Sequence, residues 1–376
     1  MVAEPRIRAG FIGCGSHACR NLLPAFAFAP VRLIATCDLD APKAEAAAGR
    51  FAAERSYSDY HEMLDREELD AVFVCTSYDE RGRPRYPGIT IDCLRAGCHV
   101  WIEKPPASSV GEIEAMQAAS KETGRHVLVG FKKMFAPANE KAKALAESEG
   151  FGPISLVTAQ YPQAIPTVEE LSRYVGEGQA IASVTGFLDH LCHPISLLIF
   201  LLGMPETLFY RRSRAGNGVA TFGCASGAVA ALALTSGAAG NAGMERTMIL
   251  GAGGQHIVVD NNIRVYLHRS PPHRYGRSPD YFTGSPADVT ALWEPEFSLG
   301  QLYNKGLFLL GYYNEIDELA RSVLESRPPA KGTLEQAWQV TRIFEAFAEG
   351  SDRLIRLPPP GARGAGPWLR ARPEVE

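Results

Sequence analysis

Arg8-Ala9-Gly10-Phe11-Ile12-Gly13-Cys14-Gly15-Ser16-His17-Ala18 is the stretch whose reading decides the fold. An apolar run, Ile7–Ile12, leads into the spacing Gly-x-Gly-x-x-Ala. Gly13 permits a tight strand-to-helix turn, Gly15 removes a side chain where a backbone must approach a pyrophosphate, and Ala18 lets the helix lie close on the strand. The N–H groups that open that helix then face the phosphates. Alone the spacing says little, because glycine turns are common. Here it follows a strand, opens a helical pattern and precedes an acid, Asp38, at the end of the next apolar run, Val31–Cys37. A carboxylate in that place accepts hydrogen bonds from the adenosine ribose hydroxyls and repels a 2′-phosphate. NAD is therefore expected over NADP, and Asp40 adds to that preference against the nearby counter-charges Lys43 and Arg50. The expected cofactor contacts are Gly13, Cys14, Gly15, Ser16, His17, Ala18 and Asp38, with Thr76, Glu103 and Lys104 at the ends of later strands.

Outward from this motif the first 130 residues alternate strands and helices. Strands are predicted at 7–12, 31–37, 71–75, 100–102 and 127–129, and helices at 17–27, 41–53, 59–65, 86–96 and 109–123. Continuous apolar strands joined by helices predict a doubly wound parallel sheet covered on both faces. Gly97 and Gly124 stand where helices end. The pattern changes near Gly150-Phe151-Gly152-Pro153. Beyond it come β-like runs at 154–161, 218–223, 228–235, 248–251, 256–260 and 263–268, the last two flanking Asn261-Asn262, a tight-turn pair. Consecutive strands with short turns predict a large, mainly antiparallel open sheet. Helices are predicted at 193–202, 305–325 and 333–348. The expected organisation is a Rossmann α/β domain over 1–131, an α+β substrate and oligomerisation domain over 132–356, and a flexible Pro/Gly/Arg-rich tail over 357–376.

Bulk properties exclude several classes. The 376 residues carry a net charge of −4, so no polyanion partner such as nucleic acid is indicated. The eight cysteines include no CxxC pair, and buried reduced thiols suit a cytoplasmic protein. The N-terminus lacks a charged segment followed by a long apolar one, so no secretory signal is read. The greasiest run, 195–202, is too short to span a bilayer, so no membrane association is expected.

Glu103-Lys104-Pro105 ends the predicted strand at 100–102, at the carboxyl edge where ligands bind in such sheets. Lysine beside a nicotinamide can hold a substrate hydroxyl and ease loss of its proton. With GFIGCGSHA at 10–18, Asp38, AGCHVWIEKP at 96–105 and VGFKKMFAPA at 129–138, the chain resembles the Gfo/Idh/MocA family, the glucose–fructose oxidoreductase and inositol dehydrogenase group. The resemblance covers residues 5 to 350. It implies that Lys104 acts at the catalytic centre and that the Lys-Pro bond is often cis. It also implies an Asp and a His four apart before a helix ending in Leu-Gly, matched here by Asp189 and His193 ahead of Gly203. At that spacing the two share a face if the turn is helical. His193 is then the proton acceptor from a secondary alcohol, for which imidazole is suited, and Asp189 orients a hydroxyl or the lysine. Hydride passes to or from the nicotinamide of NAD. Asp189, His190, Cys192 and His193 are too crowded to close a tetrahedral metal site, and no metal is expected. Pro194 would be tolerated in the first turn of a helix.

The sequence departs from the common pattern at Leu191, Ser196 and Lys132, and in the loop 77–86, which is longer and more charged. These border the expected substrate, and Lys132 and His190 are its candidate contacts. The implied function is NAD-dependent oxidation of a secondary hydroxyl on a sugar, sugar derivative or cyclitol, or the reverse. Two alternatives are a redox-assisted elimination that uses the same centre with tightly held NAD, and a non-catalytic dinucleotide-binding regulator, against which the retained Lys104, Asp189 and His193 argue. The run AVAALALTSGAAGNAG at 228–243 offers a flat small-residue surface, and a homodimer or homotetramer is expected.

Overall fold

The computed structural model describes residues 4–239, 244–269, 288–295 and 305–358. Six strands, β1 (Ile7–Ile12), β2 (Val31–Cys37), β3 (Arg55–Tyr57), β4 (Ala71–Val74), β5 (His99–Ile102) and β6 (Val127–Val129), form a parallel sheet in the order β3-β2-β1-β4-β5-β6. That order is the doubly wound Rossmann arrangement. Its central strands are buried on both faces, which is why they read as unbroken apolar runs. Helices α1 (Ala41–Phe51), α2 (Tyr60–Arg66), α3 (Tyr86–Arg95) and α4 (Val110–Thr123) connect them. A Ser109/Glu112 capping box starts α4, and Gly124, at φ 66°, ends it. The expected helix at 17–27 is instead a π-type turn, Ala18–Leu22, followed by a 3₁₀ segment, Leu23–Ala27. Pro24 lacks the N–H that a continuous α-helix would need there. Strand β3 was not anticipated, since it is three residues long with a polar, exposed start.

The second half contains α5 (Lys132–Phe135), α6 (Pro137–Ala146), β7 (Ile154–Tyr161), α7 (Val168–Ser172), α8 (Ala182–Leu202) and strands β8 (Thr207–Arg212), β9 (Gly218–Gly223), β10 (Val229–Leu234), β11 (Arg246–Gly251), β12 (Gln255–Asp260), β13 (Arg264–Arg269) and β14 (Val289–Trp293). Helices α9 (Gly306–Leu309), α10 (Tyr312–Leu324) and α11 (Leu334–Phe347) follow, then β15 (Ile355–Arg356). The sheet has nine strands in the order β14-β13-β12-β11-β7-β10-β9-β8-β15, antiparallel except where β7 meets β10. Asn261 and Asn262 both adopt positive φ and turn β12 into β13, as their side chains allow. One face of the sheet is left open and carries Phe209, Val219 and Val229.

Two further helix expectations are corrected. The helix expected at 193–202 begins at Ala182, so Pro194 lies well inside it rather than in its first turn. A prolyl nitrogen cannot donate to the His190 carbonyl, so the ladder is interrupted next to His193. At 21 residues α8 is long and apolar enough to cross a membrane by length and composition, but 61% of its most apolar window is buried in this fold. It reads as the core helix lying between the nine-stranded sheet and α11. The helix expected at 305–325 breaks at Gly311, which has φ 91° and lies so close to α5 that a Cβ would sit 2.5 Å from the Lys132 carbonyl oxygen. After that break α10 returns to the first sheet and packs beside β1 and β5. Beyond Pro358, the expected tail lies outside the described residues, as do the last four residues of the run 228–243.

Candidate active site

The carboxyl edge of the parallel sheet carries the cofactor residues. Gly13 has φ 94°, and a Cβ there would fall 2.1 Å from the Cys75 carbonyl oxygen, so only glycine passes. A Cβ on Gly15 would meet nothing within 4 Å, which leaves open space against the loop where a phosphate group fits. Ala18 is fully buried beneath the loop. Asp38 Oδ2 accepts from the Cys14 N–H (2.8 Å) and Oδ1 from the Asp40 N–H (2.9 Å). The carboxylate is thus tied to the glycine loop, and each oxygen keeps a lone pair for a ribose hydroxyl. The Thr76 hydroxyl, just after β4, is buried without a partner among the described residues. An open approach, a fixed carboxylate and an unsatisfied hydroxyl suit a dinucleotide.

The edge continues through His17. Asn21 Nδ2 lies 3.0 Å from its Nδ1, which assigns the proton to Nε2, 2.8 Å from Glu103 Oε1. The other oxygen of Glu103 accepts from the Lys104 N–H (2.8 Å). The Lys104-Pro105 bond is cis. The Tyr312 ring packs edge-on to His17, and its hydroxyl lies 2.7 Å from Lys132 Nζ. Sequence gave no sign of Tyr312, because it comes from α10 across the break at Gly311.

Lys104 and α8 build the reactive centre. Lys104 Nζ donates to Asp189 Oδ1 at 2.7 Å, a half-buried pair between the two halves of the chain. The second oxygen of Asp189 lies 3.5 Å from His190 Nε2. His193 stands one turn along the same helix face, 9% exposed, with the Tyr161 ring 6.0 Å away. Burial, then the positive charges of Lys104, Lys132, Lys133 and His190, holds its imidazole well below the usual histidine value. It is therefore neutral at physiological pH. Burial alone would lower the Lys104 amine, but Glu103 and Asp189 outweigh it and hold the amine above its ordinary value, so it stays an ammonium. Lys132 is lowered by burial and by Lys133. The centre can therefore offer a neutral base and a fixed cation side by side.

The structure brings Lys104, Asp189 and His193 into one cluster and places Lys132 on its cofactor side. His190 is the more exposed neighbour, at its mouth. Besides Tyr312, two contributors were missed by sequence reasoning. Lys133, almost fully buried, pairs with Glu245 (2.5 Å), which also accepts from the Asn262 amide (3.0 Å). Tyr78, in the unusual loop 77–86, donates its hydroxyl to Asp189 Oδ1 at 2.8 Å. The length and charge of that loop were the only signal.

A parallel Rossmann sheet with a dinucleotide loop and a lysine at its edge, joined to an α+β half whose helix α8 supplies the Asp and His of a Lys/Asp/His centre, defines a two-part nucleotide-dependent oxidoreductase class. The chain belongs to the Gfo/Idh/MocA oxidoreductase family, matching its NAD-binding Rossmann fold over residues 7–131 and its C-terminal domain over residues 139–267. It is 29% identical over 134 residues to 4-carboxy-2-hydroxymuconate-6-semialdehyde dehydrogenase of Sphingobium, a match covering 36% of this chain and 41% of that one. Against scyllo-inositol 2-dehydrogenase (NAD(+)) of Bacillus subtilis it is 27% identical, over 65% of this chain and 68% of that one. The chain covers roughly half the length of the first curated relatives it matches, between 41% and 58%. Among solved structures, a dehydrogenase from Chromobacterium violaceum superposes with a TM-score of 0.76 at 20% identity, covering 93% of this chain and 96% of that one.

Proposed function

We propose that the protein is a cytoplasmic NAD-dependent dehydrogenase that oxidises a secondary hydroxyl on a sugar, sugar derivative or cyclitol, or reduces the corresponding ketone. In this reading residues 1–131 hold the dinucleotide, and residues 132–356 close the substrate site and carry the oligomer contacts. The observation that carries it is the 2.7 Å Lys104–Asp189 pair beside a buried, neutral His193, directly at the end of β5. NAD, bound along the glycine loop and Asp38, supplies the hydride acceptor. Lys104 donates a hydrogen bond to the substrate oxygen and stabilises the negative charge that grows as its proton leaves. His193 Nε2 or Nδ1 takes that proton, which a neutral imidazole alone can do. Asp189 fixes the lysine and, through its other oxygen, holds a neighbouring hydroxyl. The relatives with inositol dehydrogenase names support this substrate class.

A panel of aldoses, cyclitols and sugar acids, each offered with NAD and with NADP, tests the reading by the absorbance of the reduced nicotinamide. Turnover with no member of the panel in either direction would sink it. Within the same panel, Asp38→Ala is expected to weaken NAD about tenfold or more while NADP use rises, since both a ribose contact and a repulsive charge are lost. Unchanged NAD dependence in that variant would place the ribose elsewhere. We also expect the open face of the nine-stranded sheet, with Phe209, Val219 and Val229 in solvent, to be covered by a second copy. Light scattering that gives a single-chain mass at micromolar concentration would overturn this.

A further inference from the structure

The loop between β4 and α3 is an ordered arm that the proposed reaction has so far left unused. Asp79 organises it: its Oδ1 accepts from the N–H groups of Arg81 and Arg83 (both 2.8 Å), and its own N–H donates to the Arg83 carbonyl (2.8 Å). Tyr78 forms a bridge with Pro84 across the same turn. The tip is then bolted to the second half of the chain. The Gly82 carbonyl accepts from the hydroxyls of Tyr174 (2.9 Å) and Thr185 (3.2 Å). Gly82 has φ 68°, and a Cβ there would strike the Thr185 hydroxyl at 2.4 Å. Thr185 and Asp189 lie four residues apart on α8, so the arm grips one face of that helix at two successive turns: Gly82 holds Thr185, and Tyr78 holds Asp189.

We propose that Tyr78 is a positioning residue for the Lys104–Asp189 pair, carried by the arm 76–86, and that it restricts how substrate meets Asp189. The inference rests on the reading of this centre as a dehydrogenase site. Asp189 Oδ1 receives both Lys104 and Tyr78, at 2.7 and 2.8 Å, which uses both of its lone pairs. Substrate therefore reaches Asp189 through Oδ2 alone, beside His190. A vicinal diol cannot bridge both oxygens of that carboxylate, and one hydroxyl is read there. Burial, then the Asp189 charge, holds the Tyr78 phenol above its ordinary value, so it remains a donor throughout the working pH range. Sharing Oδ1 with Tyr78 weakens the carboxylate's hold on Lys104 and leaves the ammonium freer to turn toward a substrate oxygen.

The test reads Lys104 itself and needs no known substrate. The protein with NAD is labelled by trace acetic anhydride at several pH values between 8 and 10, and acetylation of each lysine is followed by mass spectrometry. The groups facing Lys104 are Glu103 beyond β5, Cys75 after β4, Asp189, Cys192 and His193 on α8, Lys132 on α5, Glu315 on α10 and Tyr78 on the arm. Tyr78→Phe removes one hydroxyl from this set. Lys104 is then expected to react about 3- to 10-fold more slowly at each pH, because a carboxylate relieved of one competing hydrogen bond holds the ammonium, and so its proton, more tightly. Exposed Lys121 serves as the internal reference and keeps its rate. Gly82→Ala, which pushes the tip off Thr185, is expected to slow Lys104 in the same sense. Equal Lys104 rates in wild type and Tyr78→Phe would overturn the positioning role, and a slowing in Tyr78→Phe but not in Gly82→Ala would overturn the arm as its carrier. Absence of turnover on the polyol panel would defeat the dehydrogenase reading and leave the labelling result standing on its own.

Discussion

Replacing His193 by asparagine is expected to lower the rate of alcohol oxidation about 10²- to 10⁴-fold, the usual worth of a positioned proton acceptor. NAD affinity should stay within a few-fold of wild type, because the dinucleotide loop and Asp38 lie on the other half of the chain. The pH profile makes the claim sharper. An exposed histidine would lose half of its basic form near pH 6.5. His193 is held well below that by burial and by Lys104, Lys132, Lys133 and His190. Oxidation needs the neutral ring, so the rate is retained as pH falls through 6.5 and drops only as pH passes through the depressed value. An acid limb centred near 6.5, or an asparagine variant with more than a tenth of the wild-type rate, would remove His193 from the reaction.

How much of this was legible in sequence depends on how local each residue's job is. Gly13, Gly15 and Asp38 serve a turn, a close approach and a strand end, all set within a few residues, and the glycine spacing exposes them directly. Lys104 ends a strand whose apolar run is continuous. Asp189 and His193 were placed by their spacing and by family resemblance, yet the helix under them was read eleven residues short. Ser183, Thr185 and Gly186 are weak helix formers, and Pro194 resembles a helix start. Tertiary burial of Val184 and Phe187 overrides those propensities. Strand β8 was missed because Leu208-Phe209-Tyr210 is a short unbroken apolar run that hides its period-two burial, and two arginines follow it at once. Tyr78 lies 111 residues from Asp189 in sequence. No local pattern encodes a contact that depends on where a turn tip docks.

Glu315 is the opposite case, a residue whose sequence misleads. In Tyr312-Tyr313-Asn314-Glu315-Ile316-Asp317-Glu318 it reads as one of several solvated acids, but it is fully buried, and neither carboxyl oxygen has a partner among the described residues. Burial, then the nearby Glu103 charge, raises its carboxyl well above the ordinary value, with Lys132 and Lys104 opposing. A protonated Glu315 leaves Glu103 as the anion that these lysines and His17 share. The sign for stability follows from linkage. The unfolded chain releases this proton near pH 4.5, whereas the folded chain keeps it to a higher pH, so the folded state binds more protons in between. Stability from this group is whole below pH 4.5 and is lost as pH rises from there through the folded value. Glu315→Gln keeps the shape and removes the ionisation. Its advantage over wild type should be smallest near pH 4.5 and grow toward pH 8, reaching about 1–3 kcal/mol, the cost of an unsatisfied buried polar group. Thermal unfolding of the two proteins across that pH range measures it. A stability difference that does not vary with pH, or a wild type that gains on the variant toward pH 8, would mean that Glu315 is ionised in the fold and paired with Lys132. In that event the carboxylate beside the nicotinamide edge would be shared between Glu103 and Glu315.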